Sequence, residues 1–148
     1  MARRVSHPGA LAGPSLVLDA QGLSLLADDD RSMTVLLQVA VRDGFMPTVS
    51  TITIVEQRRQ GKAGQRLAWI RSQLTVIPVT EEIADAAAAL LEASGLCGHQ
   101  CVVDAVVVAT AASSTGPAKV VSSDGSHISA LCKIASADRA SPVQWVPV

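Results

Sequence analysis

The sequence predicts an α/β domain with a mainly parallel sheet of four to five short strands flanked by helices. Three observations carry that expectation. Short, continuously apolar runs recur along the chain, among them Leu16-Val17-Leu18 and Val120-Val121, and such runs suit strands buried on both faces. Segments with helical periodicity and helix-capping residues separate them. The two alternate without internal repeat or low-complexity tract, the pattern of parallel strands joined by helical crossovers.

Taken in order, residues 1–14 read as a flexible lead-in and residues 15–148 as a single domain. Arg3-Arg4 invites comparison with an export signal, but Pro8, Gly9, Gly13 and Pro14 interrupt any apolar signal core. Residues 16–19 form a buried strand ending in an acid, followed by two helical stretches. The second begins at Asp30, a good N-cap, and places Val35, Leu36, Val39 and Ala40 on one face. Asp43-Gly44 closes it, and residues 45–49 form a second strand.

Residues 50–60 have strand propensity in Thr51-Ile52-Thr53-Ile54-Val55, but Ser50 as an N-cap and Gly61 as a stop predict a helix ending at Gly61. Residues 74–79 read as a third strand, and Thr80-Glu81-Glu82 opens an alanine-rich helix to about Ser94. A loop over 95–100 leads into a helix at 101–113 that is apolar nearly all round, hence buried. A strand at 119–122, a helix at 126–135 and a last strand at 143–148 complete the chain. Pro147 confines that last strand to an edge or a terminus.

Composition removes several classes of function. At 148 residues with 49% apolar and 17% charged side chains, the chain can build one core and is not disordered. Its formal net charge of −1 excludes a globally basic nucleic-acid binder while leaving local patches open. Phe45, Trp69 and Trp145 are its only aromatics besides histidine, too few for a base-stacking platform. Cys97, Cys101 and Cys132 make an odd count, so no disulfide framework follows and a reducing cytoplasm is expected. Cys97-Gly98-His99-Gln100-Cys101 lacks the ligand spacing of zinc modules; the cysteines are expected as small core residues. No apolar stretch reaches the roughly 20 residues a membrane span needs.

Four carboxylates stand where packing does not require them. Asp19 follows the first strand, Glu56 follows Ile52-Thr53-Ile54-Val55, Asp104 lies within Val102–Ala112, and Asp124 follows Val120-Val121-Ser122-Ser123. Each has an ordinary explanation. Asp19 reads equally as an N-cap, and Asp124 before Gly125 as an Asx-turn or cap. Glu56 and the bases Arg58, Arg59, Lys62, Arg66 and Arg71 also read as a solvated helix face. Asp104 fits the ordinary explanation least, being the one charged residue between Ala93 and Ala118. Ionised carboxylates near a core are costly unless paired or bound to metal, so four on separate elements point to a shared cation.

In that order these segments resemble the PIN domain, in particular the VapC-type toxins of bacterial toxin–antitoxin pairs. The resemblance rests on Leu16-Val17-Leu18-Asp19-Ala20, on Ser50 to Glu56, on Val102-Val103-Asp104-Ala105-Val106-Val107-Val108-Ala109-Thr110-Ala111 and on Val120-Val121-Ser122-Ser123-Asp124. It implies a PIN-like three-layer fold and divalent-metal-dependent hydrolysis of RNA, often structured RNA such as transfer RNA, leaving 5′-phosphate and 3′-hydroxyl ends. Asp19, Glu56, Asp104 and Asp124 would then be metal ligands or their close support, with Ser122 orienting the last acid or a water. The cofactor implied is Mg²⁺ or Mn²⁺, which hard carboxylate oxygens suit. The five bases from Arg58 to Arg71 become an RNA-guiding patch, and the resemblance also implies a cognate antitoxin and a homodimer.

Two departures stand out: Cys101 takes a position where some relatives carry a further acid, and Gly125-Ser126-His127 replaces a more acidic stretch. Two other classes stay open. One is a catalytically silent PIN-like module that binds RNA or protein. The other is an aspartyl-phosphate phosphotransfer domain built on Asp19; Gln21, where such enzymes usually carry a second Asp, counts against it.

Overall fold

A strand without polar alternation needs cover on both faces, and the strand after Pro14 has it: Leu16, Val17 and Leu18 have no accessible surface. The computed structural model describes residues 11–148; Arg3, Arg4, His7 and the rest of the first ten residues lie outside that range. Its elements are β1 (Ser15–Leu18), α1 (Ala20–Ala27), α2 (Arg31–Arg42), β2 (Met46–Ser50), α3 (Thr51–Glu56) and α4 (Gly61–Ser72). There follow β3 (Thr75–Ile77), α5 (Glu81–Ser94), α6 (His99–Ala112), β4 (Ala118–Ser122), α7 (Gly125–Ser136) and β5 (Val143–Pro147).

The five strands form one parallel sheet in the order β3-β2-β1-β4-β5. Successive side chains of a strand face opposite ways, and β1 divides accordingly. Val17 joins Val120 in a core with Ile83, Ala87 and Leu90 of α5, Ala105 and Val108 of α6, and Ile128 and Leu131 of α7. Leu16 and Leu18 join Val49 and Val121 in a second core with Leu23 and Leu26 of α1, Met33 and Ala40 of α2, and Leu67 and Ile70 of α4. The result is three layers: helices, sheet, helices.

This order has a consequence for function. From β1 the chain steps outward to β2 and β3, then returns to the other side of β1 for β4 and β5. The carboxyl ends of β1 and β4 therefore flank the topological switch point, the crevice where open parallel sheets bind ligands.

Several local expectations need correction. The packed chain extends back to Leu11, which is buried. Its carbonyl accepts from the Thr115 N–H at 2.9 Å, and Gly13 is tied to Thr115 and Ser114, so the expected lead-in does not run to residue 14. The helix after Ser50 ends at Glu56, and Gly61 (φ +63) opens a further helix, α4, instead of stopping the first. Glycine in the left-handed region signals a break without saying which side of it a helix lies. On α2 the inward stripe is Met33, Leu36, Leu37 and Ala40, whereas Val35 and Val39 are 49% and 39% exposed. Cys101 and Cys132 are buried, but Cys97 is exposed. No described helix is long and apolar enough to cross a membrane.

Candidate metal centre

Asp19 and Asp124 occupy equivalent places, each directly before the helix that follows a central strand. Both do cap those helices. Asp19 Oδ1 accepts from the Gly22 N–H at 2.9 Å. Asp124 Oδ1 accepts from the Ser126 N–H and hydroxyl, at 3.2 and 2.9 Å, and from the His127 N–H at 3.5 Å. Capping engages one oxygen of each carboxylate, so the ordinary role and a second role coexist. Ser122, fully buried, links the pair: its hydroxyl accepts from the Asp124 N–H at 3.1 Å and also eases ionisation of Asp19.

Asp104 reaches the same crevice from α6, which is buried along most of its length. The residue is 8% exposed, and its Oδ2 is buried with no hydrogen-bond partner. Burial, then the Asp124 charge, push its carboxyl up to about 6; His127 partly offsets this, while Asp19 and Glu56 add to it. A buried carboxylate oxygen without a donor is costly, and other charges of the same sign raise the cost. Glu56 ends α3 with most of its side chain in solvent. What burial it has, followed by the Asp19 charge, raises its carboxyl. Burial likewise raises Asp19, with Asp124 adding a little, whereas the Ser126 hydroxyl first among several partners lowers Asp124.

His127, in the first turn of α7, completes the cluster; the sequence marks it only as part of the Gly125-Ser126-His127 departure. Its Nδ1 lies 3.3 Å from Asp124 Oδ2 and 3.6 Å from Asp104 Oδ2. Among the described residues, Asp104, Asp124 and His127 form the one trio of such side chains whose ligand atoms all fall within 4.8 Å of one another. The signal was present: His127 follows Asp124 by three residues, on the same face of a first helical turn. By contrast, Cys97, His99 and Cys101 form no such trio.

The five expected RNA contacts divide. Arg59 is held by Asp28 at 2.7 Å and Ser24 at 2.6 Å, and Arg66 by the Ala27 carbonyl at 2.7 Å and by Asp29. These two tie the α4 side to the α1–α2 turn. Arg58 and Lys62, which follow Glu56 in the chain, are exposed, and Arg71 is half-buried at the far end of α4.

A divalent cation fits this donor set. Asp104 Oδ2 lacks a partner, the other donors are mostly hard oxygens, and the cluster's net negative charge calls for an opposite one.

No protein-family model matches the chain, and no curated protein matches it. Solved structures do. A chain of VapBC2 from Rickettsia felis, in a structure bound to a DNA fragment from their promoter, superposes with a TM-score of 0.66 at 13% identity over 88% of this chain and 98% of that one. A chain of a toxin–antitoxin complex from Klebsiella pneumoniae gives 0.61 at 20% identity over 76% and 89%. At the level of the fold the expectation is met: the described residues form five parallel strands and seven helices in the PIN-like arrangement.

Proposed function

We propose that this protein is the toxin of a toxin–antitoxin pair, a divalent-metal-dependent endoribonuclease of the VapC type. The observation that carries the proposal is the unpartnered, buried Asp104 oxygen facing Asp124 at the switch point of the sheet. The two solved structures that share the fold, described as VapBC2 and as a toxin–antitoxin complex, support the partner: a cognate antitoxin.

Asp104 and Asp124 would hold the ion, with Asp19 and Glu56 beside them; Mg²⁺ or Mn²⁺ suits their oxygens. Bound there, such a cation lowers the pKa of a water and offsets charge developing on a phosphate. The protein's own groups do the rest. Capping fixes Asp19 and Asp124 through one oxygen each, so their remaining oxygens are preorganised. Ser122 holds the Asp124 backbone and eases ionisation of Asp19. Unaided, the clustered acids would repel an RNA backbone, while Arg58 and Lys62 at the rim attract it. Arg59 and Arg66, partly engaged by the α1–α2 turn, and Arg71 at the far end of α4 would extend the basic surface, and a homodimer would present two such faces.

The test is cleavage of a total transfer-RNA pool with and without Mg²⁺ or Mn²⁺, comparing wild type with Asp104→Asn. Metal-dependent cutting lost in the variant supports the ribonuclease. Identical, inactive profiles from folded proteins would favour a silent RNA- or protein-binding module instead.

A further inference from the structure

The two departures from an all-carboxylate pattern, Cys101 and His127, meet in space: Cys101 Sγ lies 3.8 Å from His127 Nδ1. The same nitrogen faces Asp104 Oδ2 at 3.6 Å and Asp124 Oδ2 at 3.3 Å. We propose that His127 is a nitrogen ligand of the metal centre, giving it a mixed nitrogen and oxygen set that favours Mn²⁺ over Mg²⁺. This rests on the presence of the centre described above and deepens it.

The distances carry the inference. Ligands about 2.1 Å from an octahedral ion stand about 3 Å apart when adjacent and about 4 Å when opposed. The separations of 3.3 and 3.6 Å from Nδ1 lie between those two values, and ligand atoms of all three residues fall within 4.8 Å of one another. A structural alternative is that Nδ1–H simply donates to Asp124. At 3.6 Å from Nδ1, however, Asp104 Oδ2 is beyond hydrogen-bond reach of that proton and would stay buried without a hydrogen-bond partner. A cation between the three satisfies them together. Imidazole shifts a site toward first-row transition ions, whereas Mg²⁺ prefers oxygen and keeps its water. Cys101 Sγ is not part of the trio, although it lies 3.8 Å from Nδ1.

The experiment loads metal-free, full-length protein with Mn²⁺ and records pulsed electron paramagnetic resonance, with Mg²⁺ as competitor. Wild type, His127→Ala and His127→Asp are compared, their folding checked by circular dichroism. Asp at this position stays compatible with the first turn of a helix. The expected result is a directly coordinated ¹⁴N coupling in wild type that vanishes in both variants. His127→Ala should weaken Mn²⁺ by about 10- to 100-fold, the loss typical of disturbing a metal site's support. His127→Asp, with oxygens only, should keep Mn²⁺ but release it to less Mg²⁺ than wild type. Mn²⁺ bound without ¹⁴N coupling, or coupling that persists in His127→Ala, would overturn the nitrogen ligand and leave the centre standing. Failure of folded wild type to bind Mn²⁺ at all would overturn both.

Discussion

Burial and like charge hold Asp104 at about 6 instead of 3.8, and the sign of its effect on stability follows. In metal-free protein the folded state holds this proton more tightly than the unfolded chain, so stability is greatest below 3.8 and falls as pH rises to about 6. A shift of that size corresponds to roughly 3 kcal/mol. Asp104→Asn should therefore raise the melting temperature of metal-free protein at pH 7.5 and change it little at pH 4, measured by calorimetry. Asp124 has the opposite sign: its lowered carboxyl stabilises the fold above its unfolded pKa and stops doing so as pH falls through the folded value. Its capping role and its proposed metal role can be separated. Asp124→Ala should cost about 0.5–2 kcal/mol through the lost cap, whereas Asp124→Asn should cost little yet lose metal affinity as the alanine does.

At the scale of elements, α4 and the start of α7 make the sharpest claims. Leu67 and Ile70 bury the inward face of α4 in the second core. Leu67→Ala should then cost about 2–5 kcal/mol in denaturant unfolding; an effect under 0.5 kcal/mol would mean that this helix does not pack as described. Gly125 opens α7 under Trp145, whose ring atoms would overlap a Cβ at this position. The ring is also anchored, its Nε1–H donating to the Ser122 carbonyl at 2.9 Å. Gly125→Ala should cost about 1–3 kcal/mol by overpacking and weaken metal binding by moving Asp124.

Across the whole molecule, the sheet was legible because each strand is a short apolar run and each acid stands at a break in that pattern. Asp19, Asp104 and Asp124 were visible as charges without a packing reason, and the fold places all three near the switch between β1 and β4. His127 was legible only as part of Gly125-Ser126-His127, three residues after Asp124, and only the fold, through β4 and α6, brings Asp104 alongside it. The helix after Glu56, α4, is absent from the sequence expectation for a local reason. Its glycine-rich opening, Gly61 to Gly64, has poor helix propensity, and burial of Leu67 and Ile70 outweighs it. Arg59 and Arg66 look like free bases in sequence, and only the fold shows the acids of the α1–α2 turn beside them.

The central claim is a divalent cation held at that switch point. Thermal unfolding of wild type and Asp104→Asn, each with chelator and with saturating Mn²⁺, tests it most directly. A ligand at 100 times its dissociation constant stabilises a fold by about 2.7 kcal/mol, so Mn²⁺ should raise the wild-type midpoint clearly and leave Asp104→Asn, already more stable without metal, almost unmoved. Equal shifts in both proteins, or none in wild type, would contradict it.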